Sequence, residues 1–276
     1  MLGEFFSEKM AATRSGHKVP AEALRQQVSR LTPGGRLRLE PAISAREIQL
    51  AVKDIPRNRA AGPDLFPAEM YIFCPSMHKA VGALFTSMVE NDRIPGKLRR
   101  FFIVPLDKPG KDPTQCSNKR PIALLSPMIK LLELVLARRI MPHVENKISG
   151  SQYAYRRARS TEVLLSDLDR YVTDNIAGKK ITYVVGLDVA GAFDSASLIK
   201  LVEALLSYQV PAPVCRLVGT WLTGRIFKNK LRSPLGTVYS EDFAPTRGVP
   251  QGGVLSPLLW LIFFNSVPRL LRENRF

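Results

Sequence analysis

The sequence predicts an α+β fold, with helices packed on a mainly antiparallel sheet. Three observations carry this: apolar residues recur at helical spacing in several segments, short β-branched or aromatic runs end in turn residues, and two of those runs flank Ser233 and Pro234 as a hairpin would. The chain has 276 residues, 45% of them hydrophobic, enough for one large domain or two lobes on a continuous core. Disorder throughout is not expected.

Residues 1–43 mix Gly, Pro and charge without a lasting period and read as a loosely ordered lead-in. At Ser44 the pattern changes. Ser44 and Glu47 form a capping box, Ile48, Val52 and Ile55 follow at helical spacing, and a basic turn closes the segment between Arg57 and Asp64. From Met77 to Val89 the apolar residues fall at i, i+3, i+4 and i+7, which predicts a core helix. Phe101–Leu106 reads as a strand entering the turn Lys108-Pro109-Gly110. Ser126 and Pro127 then cap a helix whose buried stripe is Leu131, Leu132, Val135 and Leu136.

A helix from about Thr161 to Gly178 carries Leu164, Leu165, Leu168, Tyr171 and Val172 on one face. Ile181–Leu187 is rich in β-branched residues and predicts a buried strand that delivers Asp188 at its tip. Helices fit Leu198–Leu206 and Val214–Leu222. Arg225–Leu231 and Gly236–Phe243 are the hairpin runs. No internal repeat is present.

Composition narrows the function classes. Lys plus Arg number 40 against 24 Asp plus Glu, a formal charge of +16, which favours a polyanionic partner through counterion release. A merely basic, soluble surface is the plainer reading of the same numbers. Cys74, Cys116 and Cys215 stand far apart with no CxxC pair, so a structural zinc site is not expected, and the odd count without a secretory signal fits a reducing, intracellular setting. The longest apolar run, Leu258–Phe264, is too short to span a bilayer.

Two segments carry chemistry. In VVGLDVAGAFDS, Val184–Ser195, a strand tip presents a carboxylate, the hard oxygen ligand that Mg²⁺ prefers. By itself such an aspartate is more often a helix cap. In RGVPQGGVLSPLLWLIFFN, Arg247–Asn265, Gly and Pro residues around Gln251 make a loop able to approach a flat partner closely, anchored by an apolar helix.

In this order the two segments resemble motifs A and B of the reverse transcriptases of non-LTR (LINE-type) retrotransposons. EIQLAVKDIPRNRAAGPDLFPAEM (Glu47–Met70), IVPLDKPGKDP and NKRPIALLSPMIKLLELVLARRI (between Ile103 and Ile140), and QYAYRRARST (Gln152–Thr161) are similar to that family's N-terminal segment, its fingers motifs and the block before its palm. The resemblance covers roughly residues 44–265. It implies a right-hand polymerase domain over 44–276, with fingers at about 44–180 and a partial palm at about 181–276.

The resemblance also implies roles. Asp188 would be the motif A metal ligand and the catalytic aspartate, with the Val189 carbonyl as a second contact to Mg²⁺ or Mn²⁺. Phe193 falls at the steric gate that excludes a 2′-hydroxyl, although an aromatic after a strand is otherwise read as core. Arg120 would bind the triphosphate through its guanidinium fork, with Lys108 steering the same charge. Gln251 and Gly252 would shape the nucleotide pocket, and Arg156, Arg159 and Arg247 would contact nucleic acid. The implied partners are an RNA template, a DNA primer and deoxynucleoside triphosphates; no membrane is implied, and no protein partner is indicated. In a eukaryote the expected location is the nucleus.

Departures from the pattern set further expectations. Ala154 and Tyr155 replace the usual Gly and Phe, and Lys119 stands where an aromatic usually precedes the arginine. The sequence reaches Phe276 without the family's adjacent aspartate pair, motif C, so the expectation is an incomplete palm with apolar surface uncovered near Val184, Leu187 and Ile262, poor solubility and little activity. A non-catalytic nucleic-acid-binding relic is the competing reading. A viral RNA-dependent RNA polymerase is disfavoured by Phe193.

Overall fold

Capping chemistry fixes where the first helices begin. In the computed structural model, which describes residues 21–273 apart from 33, 36, 59, 61 and 235, the Ser44 hydroxyl accepts from the Glu47 amide at 3.2 Å and the Glu47 carboxylate accepts from the Ser44 amide at 3.0 Å. This box starts helix α2 (Ala45–Val52), after α1 (Ala21–Arg30). A short α3 (Glu69–Phe73) leads into α4 (His78–Glu90), whose buried stripe includes Val81, Phe85, Met88 and Val89. Gly82 lets α4 press on the strand of chain before α2, since a Cβ there would lie 2.6 Å from the Ile43 carbonyl oxygen.

The expectation of loose order over 1–43 differs from the structure within the described residues. Leu24 and Val28 of α1 are buried, as is Leu39, and Val28 fills the space left by Gly219 on a later helix. Residues four apart lie on one face of a helix, and Leu24 and Val28 turn that face of α1 into the core. Residues 1–20 lie outside the described residues.

Strand β1 (Arg100–Asp107) pairs antiparallel with β2 (Lys119–Leu124). Helix α5 (Pro127–Val144) follows, capped by Ser126 with Pro127 in its first turn, and buries residues on nearly every face, so it is the central helix. Arg139 on α5 joins it to α2 by donating to both oxygens of Glu47, at 2.8 and 3.0 Å. Burial alone would raise the Glu47 pKa, but these bonds and the cap outweigh it and hold the carboxyl below the usual range.

The carboxyl-terminal half is helical around one hairpin. It comprises α6 (Thr161–Ala177), a single turn α7 (Ala192–Ser195), α8 (Leu198–Ser207), α9 (Ala212–Thr223), β3 (Ile226–Ser233), β4 (Gly236–Tyr239), α10 (Ser256–Phe264) and α11 (Ser266–Glu273). The hairpin pairs Lys230 with Tyr239, and β3 runs parallel to β1 with Phe102 opposite Lys228. The sheet order is β2-β1-β3-β4, with two antiparallel pairings and one parallel. Helices on such a sheet make the predicted α+β class.

The buried strand expected at Ile181–Leu187 is not formed. The segment pairs with no described strand, and its side chains face outward, with Tyr183 86% and Leu187 81% exposed. Extended propensity cannot make a strand by itself, because a strand is completed by a ladder partner and a covering face. Helix α6 shares this situation: Ser160 caps it, yet none of its residues is buried and Leu165 and Tyr171 stand in the open. The expectation of uncovered apolar surface therefore holds for Val184 and Leu187. It fails for Ile262, which α10 buries against α8.

Candidate nucleotide and nucleic-acid site

The motif A and motif B segments meet through their backbones. After Asp188 the chain turns at Gly191 in the left-handed region (φ 59°) into α7, which presents Phe193. The Phe193 carbonyl accepts from the Val249 amide at 2.7 Å and the Ala196 carbonyl from the Gly248 amide at 2.8 Å. Glycine is required at 248, where φ is +76° and a Cβ would lie 2.7 Å from the carbonyl oxygens of Phe193 and Asp194. The Phe193 ring is half-buried, with Tyr155 edge-on at 6.2 Å and Trp260 at 6.1 Å.

The loop also reaches the sheet. Ala123 on β2 donates its amide to the Gln251 carbonyl at 2.7 Å, and Gly252 (φ +115°) lies so close that a Cβ would be 2.9 Å from the Ala123 carbonyl oxygen. Arg120 is exposed on the same strand, roughly 10 Å along it at the usual rise per residue. The strand carrying Arg120, the loop carrying Gln251 and the turn carrying Phe193 thus form one connected unit.

Other predicted residues are placed differently. Lys108 lies in the β1–β2 turn and donates its ammonium to the Ser117 carbonyl at 2.9 Å. Arg156 is half-buried and braces a turn, donating to the carbonyls of Ser149 and Gln152 and to Glu145 at 3.0, 3.3 and 3.1 Å. Arg159 lies 5.0 Å over the Tyr153 ring, whose hydroxyl donates to Asp167 at 2.6 Å. Arg247 is half-buried, which lowers its pKa, while the attraction of Asp194 opposes that shift.

The donor set does not complete a metal centre. Asp188 is exposed on the unpaired segment, Asp194 is buried facing Arg247, and no group of three His, Cys, Asp or Glu residues able to hold an ion occurs among the described residues.

Two features escaped the sequence reading. On the open face of the sheet the rings of Phe102 and Tyr239 lie 5.1 Å apart, with the Lys230 ammonium 5.4 Å from the Phe102 ring and Lys228 beside them. Adjacent rings and cations on an open sheet suit unstacked bases and phosphates. The signal was alternation: in KNK, Lys228 and Lys230 share one face of β3. The second feature is buried. Glu133, Trp221 and Arg225 surround the Gln251 loop, and the lone carboxylate in LLELVL was the available hint.

Residues 106–275 match the family described as reverse transcriptase (RNA-dependent DNA polymerase). The chain belongs to the reverse transcriptase family. Within it, the kinship is with the non-LTR, LINE-type elements. The chain is 26% identical over 239 residues to the probable RNA-directed DNA polymerase from transposon BS of Drosophila melanogaster, covering 82% of this chain and 25% of that protein. It is 26% identical over 273 residues to the RNA-directed DNA polymerase from mobile element jockey of Drosophila funebris, covering 97% of this chain and 28% of the relative. With the Pol polyprotein of the type-1 element R2 of Popillia japonica it shares 30% over 174 residues, 63% of this chain and 23% of that one. This reverse transcriptase chain spans about a quarter of the length of these relatives. No helix among its described residues is long and apolar enough to cross a membrane.

Proposed function

We propose that this chain supplies the fingers and part of the palm of an RNA-directed DNA polymerase of a non-LTR retrotransposon. The reaction is attack of a primer 3′-hydroxyl on the α-phosphate of a deoxynucleoside triphosphate, forming a phosphodiester and releasing pyrophosphate, on an RNA template. Phosphoryl transfer of this kind depends on positioning and charge neutralisation, so guanidinium forks and preset backbone matter more than a protein nucleophile. The observation that carries the reading is the connected unit of β2, the Gln251 loop and Phe193, joined by Ala123–Gln251 and Val249–Phe193 backbone bonds. Arg120 takes the triphosphate, Phe193 underlies the sugar, and Gln251 and Gly252 border the base. The Asp188 carboxylate and Val189 carbonyl would form part of a magnesium site that other donors complete.

Photolabelling with 8-azido-dATP tests this. Label is expected on peptides spanning 119–124 or 247–255 and is displaced by unlabelled dATP. Label spread over the chain, or not displaced, would overturn the pocket. A second reading, binding of nucleic acid without catalysis, is favoured by the solitary, exposed Asp188. Primer extension by residues 1–276 with Mg²⁺ or Mn²⁺ bears on the second reading: no extension above an Asp188→Ala control is expected of this stretch alone, and template-dependent extension would remove that reading.

A further inference from the structure

Helix α5 buries a carboxylate where its neighbours are apolar. Glu133 is 1% exposed, flanked by Leu132 and Leu134, and burial raises its pKa. Such a group is unfavourable inside a protein unless its oxygens are satisfied. They are: the Val254 amide donates to one oxygen at 2.7 Å and the Trp221 indole to the other at 3.0 Å, with the Leu255 amide also bonded. The fit is close, since a Cβ on Gly253 would lie 3.2 Å from the carboxylate.

The other end of the same loop is held by a buried cation. Arg225, 2% exposed, donates to the Gly248 carbonyl at 2.7 Å and to the Leu222 carbonyl at 2.9 Å. Two buried polar side chains, neither on the loop, therefore fix residues 248 and 254, and Ala123 fixes the middle through Gln251. A leucine at 133 would leave the donors on Val254, Leu255 and Trp221 unpaired.

We propose that Glu133 is a positioning residue that, through the Val254 and Trp221 donors, holds the Gly248–Val254 loop in the one conformation that presents Gln251 and Gly252 to a nucleotide. The nucleotide part of this rests on the polymerase reading above; the loop part does not. Preset geometry of this kind is how a supporting side chain governs a site it never touches.

Hydrogen exchange along the chain decides it. In Glu133→Gln the amide NH₂ must face either Val254 N–H or Trp221 N–H, two donors opposed. Amides 251–255 should then exchange at least about tenfold faster relative to amides in α4, and dATP affinity should fall at least about fivefold. Trp221→Phe removes one donor, so Glu133→Gln combined with Trp221→Phe should recover most of both losses. Loop exchange that is unchanged, that rises equally in α4, or that the double variant fails to restore overturns the proposal, as does unfolding of the single variant that the double does not reverse. If the unsubstituted chain binds no dATP, the pocket reading fails, and the exchange arm still decides what Glu133 does to the loop.

Discussion

At the scale of single residues, the candidate site turns on Phe193. Phe193 is held between Tyr155 and Trp260 and bonded through its backbone to Val249. A fully buried Phe→Ala change costs about 3–5 kcal/mol, and this ring is only half-buried, so Phe193→Ala should remain folded. If the ring excludes a 2′-hydroxyl, ATP should then compete with 8-azido-dATP nearly as well as dATP does. A folded variant that still prefers dATP would show that Phe193 is packing alone. Cys215 gives a pH prediction. Burial pushes its thiol up from the usual 9.0 to about 12. The native state thus holds this proton more tightly than the unfolded chain does. Its contribution is complete below pH 9 and is lost as pH rises towards 12. Relative to Cys215→Ala, the chain should lose stability above pH 9 by at most about 1.4 kcal/mol per pH unit. Parallel denaturation curves at pH 8 and pH 10.5 would rule this out.

At the scale of elements, two amphipathic or apolar segments meet no cover among the described residues. Helix α6 carries an apolar stripe and the segment 181–189 a β-branched run, yet most of their large apolar side chains are exposed. The energetic consequence can be measured. Because Val185 is 78% exposed, Val185→Asp should change the unfolding free energy of residues 1–276 by less than about 0.5 kcal/mol, as surface substitutions generally do. A shift in the urea midpoint equivalent to a few kcal/mol would mean that 181–187 is packed in solution. Elements that carry both propensity and a partner behave oppositely. In β1 the alternation of buried Phe101 and Ile103 with half-buried Phe102 and Val104 is sustained by β2 and β3 on either side.

At the scale of the whole molecule, charge and shape act together. The sequence carries an excess of 16 positive charges, and the sheet adds Phe102, Tyr239, Lys228 and Lys230 as a surface where bases can stack beside cations. RNA binding should therefore be largely sequence-independent and fall steeply with salt, losing about tenfold or more between 50 and 200 mM. Replacing Phe102 and Tyr239 by Ala should weaken single-stranded RNA more than duplex RNA, because only unstacked bases reach the rings. Filter binding across a salt series reads both; an affinity flat in salt, or equal losses for the two RNAs, would contradict this account.

What the sequence alone determined are the features written in short-range physics and motif order: the Ser44–Glu47 box, the stripe of α4, the Ser126–Pro127 start of α5, the hairpin around Ser233 and Pro234, and the family itself. Capping and periodicity act within a few residues and need no knowledge of the rest of the chain. Only the tertiary structure decided which patterned segments become buried. Ile181–Leu187 looks like a core strand because β-branching is local, but a ladder partner is not. It also decided that Glu133, one carboxylate in an apolar run, meets donors 88 and 121 residues away on Trp221 and Val254. No local rule reports the other half of a bond when that half lies on a different element.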